Sequence, residues 1–317
     1  MINGRQKMKI NINPATVQKH SVKIIVALFR LFLFTTLAFV VIYPVLTQIS
    51  ASFMSVSDVY NSSVQYIPKN FTFDNYITLF SKLELGGSLL LTLQYTIVNA
   101  LLQMASATLI GYGLARFKFK LNGFLFAMAL VSLAIPPTLR LIPLYKTFAD
   151  FDLFGIISLI SGKSVNMLNT QWPMVLLSIT ATGYRCGLYI ILMRQYFRGV
   201  PKELEEAAYI DGAGTVRTFI SIMLPSAKTM MITIGLFSFV WIWLDSDFAP
   251  TLMPDMPLLS NQFDKIVSTW RLVPNSAIVQ SLYYNTAVII MIVPLLILYL
   301  FTQKYFVESI ERSGLVG

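Results

Sequence analysis

Few side chains in this 317-residue chain could do chemistry, and their surroundings narrow what that chemistry is. There is one cysteine, Cys186, and one histidine, His20, so a disulfide or a thiolate metal site within the chain is excluded. Gly162-Lys163-Ser164 imitates the end of a phosphate-binding loop. Such a loop needs a glycine five positions before Gly162, and Ile157 stands there. Asp245 and Asp247 have no third ligand nearby in the sequence to make a metal site. Among the charges lying within apolar stretches are Arg140, Arg185, Asp245 and Asp247, and near them fall the aromatic residues Trp241, Trp243, Tyr283 and Tyr284, the last followed by Asn285. The largest polar feature is the insert EEAAYIDGAGTVRTFISIMLP, Glu205 to Pro225.

The elements around these residues belong to a membrane. Hydrophobic residues make up 56% of the chain and charged residues 12%, about half the ~25% of a soluble domain. Apolar runs near the ~18–20 residues that cross a bilayer recur at 24–49, 89–115, 124–148, 173–196, 229–250 and 281–303. The expected fold is therefore all-α, a polytopic membrane protein of six transmembrane helices. Residues 1–23 form an N-terminal tail, 24–303 the membrane domain and 304–317 a C-terminal tail. The first run far exceeds the ~7–15 apolar residues of a cleaved secretory signal and stays as an anchor. Pro136-Pro137, Arg140, Pro143 and Arg185 interrupt the third and fourth runs. Lys and Arg residues number five in the N-terminal tail, three in Arg116–Lys120, five from Arg194 to Lys228 and two in the C-terminal tail. The intervening loops hold only Lys69, Lys82, Lys163, Lys265 and Arg271, which places both termini and the Glu205–Pro225 insert in the cytoplasm. The net charge of +9 reads as this bias plus attraction to anionic lipid, with no basic, aromatic-interleaved surface for nucleic acid.

The insert reads as a helical knob. Gly199-Val200-Pro201 stops one helix and starts a short new one, with Pro201 in its first turn and Glu203, Glu205 and Glu206 near its positive end. Leu204, Ala207, Ala208 and Asp211 recur at helical spacing and share a small, shallow face. Gly212 and Gly214 end the helix, and Pro225 bends a second apolar stripe into the fifth run. Such a face suits a groove on another protein. An ordinary interhelical elbow would have the same outline. Ala107, Gly111 and Ala115 form a small-residue row for close helix packing in the second run.

Glu206-Ala207-Ala208, Gly212 after a three-residue gap and the terminal Leu224-Pro225 resemble the EAA-loop signature, here in the loop 199–225, of permease subunits in binding-protein-dependent ABC importers. The flanking LMRQYFRGVPKELEEAAYIDGAG and the first cytoplasmic turn GYGLARFKFKLNG agree, and together with the tail QKYFVESIERSGLVG they look most like the six-helix, maltose-permease type of the carbohydrate-uptake branch. The resemblance runs from about Leu31 to the C-terminus. The tail departs from the family in detail, with Val316 standing where the family carries a basic residue. The resemblance implies a bacterial cytoplasmic-membrane subunit that pairs with a homologous permease, with two ATP-binding subunits and with an extracytoplasmic solute-binding protein that delivers sugar. Leu204, Glu206, Ala207, Ala208, Asp211, Gly212 and Pro225 would then be the ATPase-coupling residues, and the knob would enter a cleft of the ATPase. The chain itself would bind no cofactor and would not be an enzyme, since ATP and Mg²⁺ belong to the partner ATPase.

For the pathway, Arg185 either lines a polar route or satisfies Asn99 and Gln103 of the second run. Arg140 sits where Asp245 and Asp247 could neutralise it as an outer gate latch. Trp241, Trp243, Tyr283 and Tyr284 offer faces on which sugar rings stack, and equally the composition of an interfacial belt. The same type of permease could instead carry phosphate, an amino acid or a peptide. A secondary transporter would need a proton-handling carboxylate in mid-membrane, and the sequence supplies none.

Overall fold

The computed structural model describes residues 14–82, 84–270 and 276–314. Arg5, Lys7, Lys9, Arg271 and Val316 lie outside the described residues, as do the side chains of Lys19, His20 and Arg312. Among the described residues the chain is helical, with two isolated β-bridges, Met54 to Phe71 and Phe151 to Val165, and no strand. The principal helices, in order, are α1 (Pro14–Ser52), α2 (Leu85–Arg116), α3 (Asn122–Ala134), α4 (Pro137–Ala149), α5 (Trp172–Ile179), α6 (Cys186–Gly199), α7 (Glu203–Ile210), α8 (Lys228–Trp243), α9 (Leu259–Trp270) and α10 (Ser276–Gly314). Short helices at Val56–Val59 and Asp74–Lys82, together with α9, occupy the two longest connections.

Three stretches are single helices long and apolar enough to cross a bilayer, Val22–Ser52, Leu85–Arg116 and Val279–Lys304, and up to five spans result if two bent pairs each count as one. The chain bends by 108° between α3 and α4. The cause is local: Ile135 and Pro136 are held extended before the next proline, and two successive prolines remove two N–H donors. The expected fourth span is interrupted. α5 stops at Ile179, the N–H groups of Thr182 and Gly183 both fold back onto the Leu177 carbonyl, and Ala181 and Arg185 take left-handed backbone angles before α6 begins. The fifth helix ends at Trp243 rather than 250, because Asp245 accepts hydrogen bonds from the N–H groups of Asp247, Phe248 and Ala249 and starts a separate helix at Phe248–Leu252. The last helix runs on past 303 into the expected tail.

α2 is the spine against which α5, α6 and α8 pack. The small-residue row explains the closest of these crossings. Ala107 is fully buried, and a Cβ on Gly111 would stand 2.5 Å from Met193 Cβ of α6. Gly187 does the same for α6 against α3, where a Cβ would meet the Ala129 carbonyl at 2.6 Å. One core cluster centres on Trp243, Phe248 and Tyr95, the other on Tyr189, Phe197 and Met193, and the second underlies the knob.

Candidate functional site

The knob is held by the end of α2. Arg116 closes that helix, where a cation is favoured by the helix dipole, and Tyr112 lies one turn earlier on the same face. Tyr112 donates its hydroxyl to Glu205 Oε1 at 2.9 Å, while Arg116 Nε stands 3.3 Å from Glu205 Oε2 as a charge pair without hydrogen-bond alignment. A second guanidinium nitrogen of Arg116 donates to the Val200 carbonyl at 2.6 Å, pinning the turn between α6 and α7. The Arg116 and Glu205 side chains are only 7% and 10% exposed. The Tyr112 ring is walled by Phe117, Phe197 and Phe219, with centroids 4.6–5.5 Å away. Both oxygens of one carboxylate therefore tie α7 to α2 across a mostly aromatic floor, and the geometry suits transmission of force between them.

The far end of α7 closes with a Schellman motif. The N–H of Ala213 reaches the Ala208 carbonyl at 2.9 Å and that of Gly212 reaches Tyr209 at 3.1 Å, which requires the left-handed φ of +80° that Gly212 adopts. The expected shared face of Leu204, Ala207, Ala208 and Asp211 is divided. Ala208 is buried at 5%, one turn from Glu205 and on the same inner side, whereas Leu204, Ala207 and Asp211 are exposed, as is Glu206. The outward surface instead gains Ile210 and Val216, 86% and 71% exposed. Pro225 is exposed in the first turn of the short helix Leu224–Ser226, just before the 73° bend into α8.

The pathway candidates are not assembled as expected. Arg185 is exposed and lies over the rings of Trp241 and Tyr184, at 4.4 and 5.3 Å, in cation–π contact. It does not satisfy Asn99 and Gln103, whose amides are already engaged. Ser178 donates to Asn99 Oδ1 at 2.9 Å, Ser238 donates to Gln103 Oε1 at 2.6 Å, and the Asn99 amide donates to the Tyr95 carbonyl at 2.9 Å. Arg140 donates to the Thr182 carbonyl of the break between α5 and α6, while Asp245 caps the Phe248 helix, so the expected Arg140–Asp245–Asp247 latch is not formed. Trp243 is 1% exposed and donates its indole N–H to Met291, so it is core. Tyr283 borders that core, Tyr284 is half exposed with its ring against Phe263, and Asn285 is half-buried.

Sequence reasoning missed Glu205, Tyr112 and Arg116 as one unit, although all three sit in the two motif segments it singled out. It also missed the buried chain joining Asn99, Gln103, Ser178 and Ser238, whose signal is the polar spacing of Asn99, Gln103 and Ser106 along one face of α2.

The two segments that meet at Glu205 fall within one family match. Residues 107–312 match the family described as binding-protein-dependent transport system inner membrane component. The chain belongs to that family. It is an ABC transporter permease and a multi-pass protein of the cytoplasmic membrane. This permease is 29% identical over 263 residues to the melibiose/raffinose/stachyose import permease protein MelC of Bacillus subtilis, covering 81% of this chain and 85% of that one. It is 28% identical over 304 residues to the arabinooligosaccharides transport system permease protein AraQ of Halalkalibacterium halodurans, covering 90% and 94%. Among solved structures it superposes with a TM-score of 0.71 and 21% identity on a chain of a bacterial ABC transporter involved in the import of the acidic polysaccharide alginate, covering 89% of this chain and 96% of that one. The permease thus shares that chain's fold.

Proposed function

We propose that this permease is one of two membrane subunits of an ATP-driven importer for a sugar or oligosaccharide, which an extracytoplasmic binding protein delivers. The saccharide substrates named for MelC and AraQ support the substrate class. In this reading six segments cross the membrane, the bent pair α3 and α4 and the interrupted pair α5 and α6 each counting as one, with both termini in the cytoplasm. α7 docks in the cleft of an ATP-binding subunit through Leu204, Glu206, Ala207, Ile210 and Asp211. The chain binds no nucleotide, ATP and Mg²⁺ being held by two ATPase chains.

The observation that carries the coupling role is the Tyr112–Glu205–Arg116 cluster. A helix that merely turned the chain around would not need its first turn locked to the end of α2 by a buried charge. With the lock, displacement of α7 by a closing ATPase moves α2, and α2 moves α5, α6 and α8 packed on it, as one body. The experiment is cross-linking in the assembled complex, with Cys186 replaced and a cysteine at Ala207. Efficient cross-linking to cysteines around the ATPase cleft is expected. Cross-linking to the partner permease alone would overturn the docking role. Growth of a deletion strain tests the substrate class, and a defect that follows an amino acid or phosphate source would refute a sugar.

A further inference from the structure

Beside the knob lies a charged groove whose exposed cations the coupling reading leaves unused. It has a volume of about 800 Å³ and runs between the end of α2, the following turn, the end of α6 and the start of α7. Arg116, Lys118, Lys120, Arg194, Arg198 and Lys202 line it, against Glu205 and Glu206. Two of these cations are engaged within the protein. Arg116 holds Glu205 and Val200, and Arg194 lies 3.7 Å over the Phe126 ring with its Nε on the Leu114 carbonyl. Lys118, Lys120, Arg198 and Lys202 are exposed, and among the described residues none of them pairs with a carboxylate. These cations outnumber the carboxylates around the same void, and an entering anion relieves their mutual repulsion.

The remaining walls are apolar. Phe117 and Phe119 are 46% and 44% exposed, and the exposed apolar surface continues from Phe119 through Leu121 and Phe124 along α3. Cations above an apolar ramp, at the ends of two membrane helices, match a headgroup above its acyl chains. We propose that this groove binds the phosphodiester headgroup of an anionic phospholipid of the cytoplasmic leaflet. Arg198 presents a guanidinium fork to the phosphate, Lys118 and Lys120 act as point charges, and the acyl chains leave over Phe119 and α3. The site rests on the orientation given under the proposed function.

The test uses the assembled complex in detergent with equal amounts of phosphatidylglycerol and phosphatidylcholine, counting retained lipids by native mass spectrometry. Phosphatidylglycerol is expected to be retained in preference. The variant K118Q/K120Q/R198Q should retain it more weakly, at about fivefold per cation and so on the order of 100-fold, whereas K118R/K120R should retain it as the parent does. Equal retention by the neutral variant, or no preference for phosphatidylglycerol in the parent, overturns the proposal. Full displacement of the lipid by inorganic phosphate would make this a soluble-anion site, and loss of the ATPase chains together with the lipid would make it a partner contact; either result overturns the lipid assignment. Orientation is read separately with Lys120→Cys and a membrane-impermeant maleimide. Labelling from the outer face would overturn the orientation, and the proposal with it.

Discussion

Glu205→Ala removes the one carboxylate that both Arg116 and Tyr112 use, and its effect can be worked from the geometry. At 3.3 Å and an effective dielectric constant of ~20, the gross attraction between Arg116 and Glu205 is about 5 kcal/mol. Desolvation of both partners cancels much of that, so the intact pair contributes little net stability. Removing one end is a different matter. Arg116 remains buried without a counter-charge, at a cost of about 3–5 kcal/mol, and the Tyr112 hydroxyl loses its acceptor for about 1 kcal/mol more. Apart from this cluster, the inner face of α7 rests on little more than the methyl group of Ala208. Even the low end of the stranded-charge cost alone, about 3 kcal/mol, shifts the ratio of seated to unseated α7 by at least on the order of 100-fold. Hydrogen exchange of the 203–210 amides in the assembled complex should lose protection by that factor. Uptake into vesicles and substrate-stimulated ATP hydrolysis should fall while membrane insertion persists. Glu205→Gln should be milder, since an amide oxygen still accepts from Tyr112. In a double-mutant cycle, Glu205→Leu with Arg116→Met should be less defective than the sum of the single changes by about 2 kcal/mol, because no charge is stranded. Protection within twofold of the parent in Glu205→Ala, or simple additivity in the cycle, would refute the lock.

Three further outcomes follow from particular contacts. Ala207→Arg, on the exposed side of α7, should leave the fold intact and weaken ATPase association by about 2–5 kcal/mol, measured as co-purification, whereas Ala208→Arg should expose the knob to protease even without the ATPase; equal protease resistance in both would reject the division of faces. Gly111→Ala places a methyl 2.5 Å from Met193 Cβ and should cost about 1–3 kcal/mol, seen as a lower Tm in detergent, while Gly123→Ala, with nothing within 4 Å of its added Cβ, should not. Asp152 accepts the N–H groups of Ile157 and Ser158 at 2.9 and 3.1 Å, and these contacts, led by the Ser158 side chain, hold its carboxyl below the usual aspartate value. A depressed folded value means that the stabilisation from these contacts is present above the unfolded pKa and lost as pH falls through the lower, folded one, so the 157 and 158 amides should stay protected at mildly acid pH and lose protection in strong acid, and Asp152→Asn should abolish that pH dependence.

Much of this permease is written locally. Long apolar runs must leave water whatever their neighbours do, so the helices at Val22–Ser52, Leu85–Arg116 and Val279–Lys304 lie close to where hydropathy puts them. The stop at Gly212 was legible for the same reason, since ending a helix in a left-handed turn is a property of one residue. The Pro136-Pro137 break and the Gly111 crossing were likewise visible as residue types, although the 108° angle was not.

Other features depend on which surfaces meet. Helical spacing groups Leu204, Ala207, Ala208 and Asp211, but it cannot say that burial of Ala208 beside Glu205 turns that methyl inward, because the rotation of α7 about its axis is set by an ion pair with a residue 89 positions earlier, at the end of α2. Arg185 offered the same ambiguity. Its charge marked the position, but its partners were fixed by the left-handed break that aims it at Trp241, while Ser178 and Ser238 claimed the amides of Asn99 and Gln103 first. A single chain specifies its own turns and its own hydrophobic lengths. Pairing of buried polar groups is decided only in three dimensions, because each such group must find a partner among whatever the folded helices bring within about 3 Å.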